Sequence, residues 1–382
     1  MIYADYNGST PICNEVIEYL KNRITEGVYS NPNASHSMGK KIMFNLEKCR
    51  RSMAKHLGCK SSQIIFNSGA SEGISHIFYS LLNCGPKNNK NIIITSGIEH
   101  AAVVRACEHY AKNSYVVLKV NTNTNGVVDL EHFQNLVQDQ KGKVALVSIM
   151  AANNETGVVQ PFKEIGKICQ ENEIPFFSDT TQYIGKTEFN FSESFMDFAV
   201  TSSHKIGGLI GSGVIIAKNP KLLKSHTFGG GQEFGYRGGT QNYIGIECMS
   251  VAMDTFQKNL SSLANLRALR DDFEKKLKDK FPKIIIIGED APRLASTSLI
   301  SLPGISGQAV QAELEAQDVY VTTSSACSDS EADTSKVLKS MNITDEVGRG
   351  VVRISLCTNA NEDLYSRVEK AVTHAYEKIG KK

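Results

Sequence analysis

The sequence predicts an α/β protein: a mainly parallel sheet covered by helices, followed by a smaller C-terminal α/β domain. Three observations predict it. Short β-rich runs alternate with amphipathic segments along much of the chain, the rhythm of a parallel sheet. Those runs show little polar alternation, as strands buried on both faces do. Near Ser250 the texture changes to a long charged helical stretch followed by further β-rich runs.

Taken in order, Ile42, Leu46, Cys49, Met53 and Leu57 recur at steps of three and four on one helix face, and Gly58 supplies the C-terminal stop. Strands are expected at 63–66, 91–95, 115–120, 144–150, 174–177, 198–201 and 213–217. Only 115–120 alternates, and 213–217 is expected at a sheet edge. One helical stretch is expected over 253–281, then strands at 284–287, 296–302 and 351–356. The expected division is a large domain over 14–250, with 1–13 and 251–382 forming the small one.

Composition excludes several classes. The 382 residues carry 42 basic and 40 acidic side chains, a net charge of +2. That balance gives no field for nucleic acid or an anionic membrane. The longest apolar runs, such as 92–94 and 284–287, are too short to cross a bilayer. No export signal is visible after Met1, and the nine cysteines are scattered without a C-x-x-C pair. Reduced thiols and a cytoplasmic location are expected.

Ligands of open α/β sheets bind outside the carboxyl ends of the strands, so the residues following each run test for a site. After 63–66 come Asn67-Ser68-Gly69-Ala70-Ser71-Glu72-Gly73 and a helical run, a ready phosphate cradle. The next ends carry Glu99-His100, Asn153-Asn154-Glu155, Ser178-Asp179 with Gln182, and Ser202-Ser203-His204-Lys205. A metal site fits poorly, because a lysine and amides accompany His100, Asp179 and His204. A lysine near a sheet edge can instead form a Schiff base, and a nearby carboxylate can keep a pyridine nitrogen protonated. Lys205 and Asp179 thus point to pyridoxal 5′-phosphate, with Ala70, Ser71, Ser202 and His204 around its phosphate.

With these residues in view, the chain resembles the cysteine desulfurases, class V aminotransferase-like enzymes of fold type I, nearly end to end. The resemblance rests on Asp5-Tyr6 with Thr10-Pro11, Asn31-Pro32 with His36-Ser37, Ser68-Gly69-Ala70-Ser71-Glu72, and the strand-end motifs above. It continues through Gly229-Gly230-Gly231-Gln232-Glu233, Arg237 with Gly239-Thr240, Ser324-Ser325-Ala326-Cys327, and Arg353-Ile354-Ser355. It implies a pyridoxal phosphate-dependent transferase with a seven-stranded sheet in its large domain. Lys205 would bear the cofactor, Asp179 pair with the ring nitrogen, Gln182 with the ring hydroxyl, and His100 stack on the ring. Arg353, with Asn154 and Asn31, would grip the substrate carboxylate. Thr240 would reach the phosphate of a partner subunit in a homodimer.

Two runs depart from the family pattern. Gly97-Ile98-Glu99 lacks a threonine before the glutamate, and Asn7-Gly8-Ser9 replaces an Ala-Thr-Thr-like run. Both are expected to affect substrate entrance rather than chemistry. Ser71 stands for a usual threonine and keeps the hydroxyl.

The cysteines separate by context. Cys49, Cys107 and Cys169 fall in helical patterns as core fillers, and Cys13, Cys59, Cys84, Cys248 and Cys357 have no catalytic context. Cys327 lies in a polar stretch over 322–333, the setting of a nucleophile on a mobile arm. Its neighbours Asp329, Glu331 and Asp333 would raise its pKa, so thiolate formation would depend on bound substrate.

The activity this implies is removal of sulfur from L-cysteine, giving L-alanine and a persulfide on Cys327 for an acceptor protein, an iron–sulfur scaffold or a thiolation enzyme. Lys205 would move the α-proton and His100 the thiol proton. Selenocysteine lyase or cysteine sulfinate desulfinase are the nearest rivals, and neither requires Cys327. A catalytically idle docking subunit conflicts with intact Lys205, Asp179 and His204, and a transaminase leaves Cys327 without a task. The glycine-rich run 207–213 is not a nicotinamide fingerprint, because a β-run follows it where a helix is required.

Overall fold

The structure is a computed structural model that describes residues 1–27, 29–86, 89–323 and 334–380. Its strands among those residues are β1 (Ile2–Tyr3), β2 (Ile64–Asn67), β3 (Ile92–Ser96), β4 (Val116–Val120), β5 (Val144–Ser148), β6 (Phe176–Asp179), β7 (Phe198–Ser202), β8 (Gly213–Ala217), β9 (Ile285–Ile286), β10 (Thr297–Ser301), β11 (Val319–Tyr320) and β12 (Val351–Ser355).

The central layer is a seven-stranded sheet in the order β2-β8-β7-β6-β5-β3-β4. Strand β8 is antiparallel to both of its neighbours, and every other pair is parallel. Six strands therefore share one direction and open their carboxyl ends on one edge. Side chains alternate between two cores on the two faces, as a period of two requires. Ile64, Phe66, Ile92, Ile94 and Phe176 enter one core, while Ile65, Ile93, Leu146 and Phe177 enter the other.

The 213–217 strand is not at an edge. Strand β8 lies between β2 and β7 with all five residues buried. The chain turns back after β7 and pairs with β2, more than a hundred residues earlier, so no local pattern discloses its neighbour. The edges are β2 and β4, and the alternating run is β4, whose Val116 is exposed. Strand β8 follows the glycine-rich run 207–213, where a β-run is expected.

Helix Ser37–His56 buries Ile42, Leu46 and Met53, and Gly58 follows it at φ +64°. The single stretch expected over 253–281 is two helices, Tyr243–Lys258 and Leu263–Lys280, broken by a short 3-10 turn at Leu260–Ser262. The break serves two cores. Ala252, Met253 and Phe256 pack on the large sheet. Leu266, Phe273 and Leu277 join a second core with Ile2, Ile300, Val352, Ile354 and Val372. That core covers the three-stranded sheet β12-β10-β9 and the parallel pair β1-β11. Among the described residues no helix is long and apolar enough to cross a membrane.

Candidate active site

The carboxyl ends of β2, β3, β5, β6 and β7 face a cleft of about 420 Å³. At β2, Gly69 turns the chain into helix Ala70–Leu82 at φ +152°, a conformation open to glycine. The Ala70 amide donates to Ser202 Oγ at 2.8 Å, which joins this turn to the end of β7. Glu72 accepts from the Ser68 amide and hydroxyl and from Arg237, complementing the positive end of the helix. The Ser-Gly-Ala-Ser-Glu motif is thus a helix start braced by Glu72 and Ser202, with Ala70 and Ser71 facing the cleft.

At β3 and β5 the link is a buried acid. Glu99 Oε1 accepts from Ser96 Oγ and the Met150 amide, and burial pushes its carboxyl up to about 8. Through these two bonds Glu99 ties the two strand ends together. The next residue, His100, caps helix Ala101–Ala111 through Nδ1 and lines the cleft. After β5, the Asn153 side chain holds the turn by accepting from the Glu155 and Thr156 amides, leaving Asn154 and Glu155 to face the cleft.

Strand β6 ends in Asp179, whose Oδ1 accepts from the Thr181 amide, with Gln182 and Thr181 beside it in the wall. Strand β7 runs into the single turn Ser203–Lys205. The Lys205 amine donates to the carbonyls of Asn7 at 2.9 Å and Gly8 at 2.5 Å. Burial pulls this amine down to about 8, Arg353 adds to the fall, and Asp5 and Asp179 oppose it. His204 Nδ1 meets Ser9 Oγ at 3.1 Å, and burial followed by Lys205 and Lys186 lowers its pKa. From the small-domain side, Arg353 donates to the Asn154 carbonyl at 2.8 Å and pairs with Asp5 at 2.5 Å.

The cleft thus gathers Ala70, Ser71, His100, Asn154, Asp179, Gln182, Ser202, His204, Lys205 and Arg353 from the predicted set. Asn31 and Thr240 do not join them. Both are exposed, and Asn31 Oδ1 is spent on the Asn33 amide within its own turn. Asn33 in turn donates to Gln241, so the Asn31 and Thr240 segments adjoin each other on one surface. Cys327 lies outside the described residues. The chain on either side is pinned at the cleft: the Arg353 amide donates to the Thr322 carbonyl, and Ser335 Oγ donates to Glu155 at 2.7 Å. Burial pushes the Glu155 carboxyl up to about 7. Burial also raises Cys49 to about 11 and Cys59, Cys107 and Cys248 to about 12, so these thiols stay protonated at neutral pH.

The run Asn7-Gly8-Ser9 lies at the cleft itself, where the Asn7 and Gly8 carbonyls meet the Lys205 amine. It crosses the cleft beneath Lys205, and a side chain at Gly8 would place Cβ 2.3 Å from an Asp5 carboxylate oxygen. Sequence reasoning also missed Lys186. Its amine is buried and donates to Asn7 Oδ1 and Gln182 Oε1, each at 2.5 Å.

The donor set fits pyridoxal phosphate. An amine of lowered pKa, a carboxylate and an amide stand at adjacent strand ends, with a helix N-terminus, two serines and an imidazole on the same wall. Thr181 Oγ1 and Arg353 Nε are buried without a hydrogen bond among the described residues.

Comparison with known proteins gives concordant results. A family model described as "Aminotransferase class-V" matches residues 2–365. The chain is 33% identical over 384 residues to "Cysteine desulfurase IscS" of Rickettsia prowazekii (strain Madrid E), covering 100% of this chain and 91% of that protein. A solved "NIFS-LIKE PROTEIN" superimposes with a TM-score of 0.89 at 32% identity, over 98% of this chain and 99% of the other. The structure described as "SspA in complex with cysteine" matches with a TM-score of 0.81 at 26% identity, over 93% and 99% of the two chains.

Proposed function

We propose that this chain, which belongs to the aminotransferase class-V family, is a pyridoxal phosphate-dependent cysteine desulfurase that converts L-cysteine to L-alanine and passes the sulfur to an acceptor protein. The observation that carries the reading is the Lys205 amine, lowered to about 8 and set in one cleft with Asp179 and Arg353. Names and titles of relatives that specify cysteine desulfurase or bound cysteine support it.

In this reading Lys205 would bond the cofactor, Asp179 would pair with its ring nitrogen, Gln182 with its ring hydroxyl, and His100 would stack on its ring. Ala70, Ser71, Ser202 and His204 would hold the phosphate. The bound group supplies an electron sink for charge developed at the substrate α-carbon. The chain supplies the rest. Arg353, aimed by Asp5 and the Asn154 carbonyl, binds the substrate carboxylate as a planar fork. Lys205, unprotonated above about pH 8, takes the α-proton. His100 takes the proton of the substrate thiol. Cys327 receives the sulfur: its thiolate forms the S–S bond as the substrate C–S bond breaks, and the carbon fragment leaves as alanine after taking up protons.

Chain length supports Cys327 as acceptor. Thr323 lines the cleft, and the four residues from it to Cys327 span at most about 14 Å when fully extended. The working unit is a homodimer in which the face carrying Asn31 and Thr240 meets a second copy. Phe228 and Phe234 are 81% and 54% exposed on that side, and large exposed apolar side chains mark such surfaces.

The test is to incubate the loaded protein with cysteine and follow alanine release and protein-bound persulfide. Both are expected, with the persulfide at Cys327. Cys327→Ser should bind cysteine yet carry no persulfide. Alanine release at the full rate from that variant would overturn the acceptor role and favour a lyase that needs no thiol.

A further inference from the structure

Lys186 is a second lysine at the floor of the site, only 6% exposed, and its hydrogen-bond partners are two amide oxygens rather than a carboxylate. Its amine bridges Asn7 Oδ1 and Gln182 Oε1 at 2.5 Å each. Each oxygen thereby has a donor. With its oxygen held, the Gln182 amide keeps its nitrogen on the other side, where Nε2 donates to the Asn7 carbonyl at 2.9 Å. That same carbonyl accepts from the Lys205 amine. The Asn7 side chain is fixed at its other end by donation to Thr297 Oγ1 and the Asn154 carbonyl. One relay therefore runs from Lys186 through two amides to Lys205.

We propose that Lys186 is a positioning residue that sets the direction of this relay: by donating to Gln182 Oε1 it holds Nε2 on the Asn7 carbonyl, so that the second N–H of Nε2, and not the oxygen, is what Gln182 offers to the cleft it lines. The inference rests on the reading of Lys205 as the cofactor-bearing lysine. A primary amine suits the role. Uncharged, it still has two N–H groups for two oxygens, and burial, with Lys205 and then Arg353 adding to it, holds it well below the usual lysine range. The charged groups that bear on the pair are all in view: Asp5 and Arg353 act on both lysines, Asp179 on Lys205, and His204 lies beside them.

An N–H aimed into the cleft stabilises an anionic ring oxygen facing it, whereas a flipped amide aims its own oxygen there and repels it. Loss of Lys186 lets Gln182 flip. The proton then stays on the lysine–cofactor linkage to higher pH, because the neighbouring anion has lost its donor.

The experiment is a pH titration of the visible absorbance of the pyridoxal phosphate-loaded protein, for the parent, K186M, Q182M and the double variant. K186M should raise the midpoint by about one unit, and the double variant should show no more than the shift of Q182M alone. A K186M midpoint within about 0.3 unit of the parent, or two shifts that add in full, would overturn the proposal. Should K186M not fold, K186Q carries the test. Its amide N–H can still serve Gln182 Oε1, so a parent-like midpoint is expected and a full shift refutes. A parent that acquires no visible absorbance would instead sink the cofactor reading itself, so the two failures are distinct.

Discussion

Lys205 shows how position alone changes a side chain. A free lysine amine is protonated at neutral pH, but here it is half-buried, faces Arg353, and has two backbone carbonyls as partners rather than a carboxylate. Its pKa falls from 10.5 to about 8, so between those values the folded protein holds an unprotonated amine where a free lysine holds a charged one. Capture of pyridoxal phosphate by the unloaded protein should therefore rise with pH through a midpoint near 8, followed as growth of visible absorbance. A midpoint above about 10 would mean the amine is unperturbed. Asp179, Gln182, His204 and Lys205 were legible in the sequence because each follows an apolar run that could only be a buried strand. Lys186 was not. Four residues past Gln182, it ends no strand, and its contact with Asn7 spans 179 positions.

At the scale of elements, the 229–233 segment is tied to the sheet by a buried ion pair. Arg50, in helix Ser37–His56, makes a two-pronged contact with Glu233 at 2.7 and 2.8 Å, and Glu233 also accepts from the Phe66 amide of β2. Both side chains are buried, and Glu233 takes a left-handed φ of 46° to reach them. Glu233→Ala leaves the buried Arg50 with only Glu47 and the Ile64 carbonyl as partners, so it should lower the unfolding free energy by about 3 kcal/mol in denaturant titrations. A loss below about 1 kcal/mol would place the pair outside the fold's supports. The Gly-Gly-Gly-Gln-Glu motif was visible in the sequence, but its task was not, because the partner arginine lies 183 residues earlier. The same limit explains β8 and the split helix. Periodicity reports which face is apolar, whereas strand order and the handover between cores depend on what the distant chain packs against it.

At the scale of the whole molecule, the N-terminal segment stitches the two cores across the cleft. The Tyr6 amide and the Asn7 amide reach Ser355 of β12, Asn7 reaches Thr297 of β10, and Thr10 donates to the backbone of His204 and Lys205. Arg353 and Lys205, from opposite sides, thus share one wall whose spacing is set by six residues at the start of the chain. This places two lysines within one hydrogen-bond relay, and Lys205 is the one proposed to bear the cofactor. The direct measurement is borohydride reduction of the pyridoxal phosphate-loaded protein, followed by peptide mass spectrometry. One covalent label is expected, on Lys205. A label on Lys186, or none on any lysine, would contradict it.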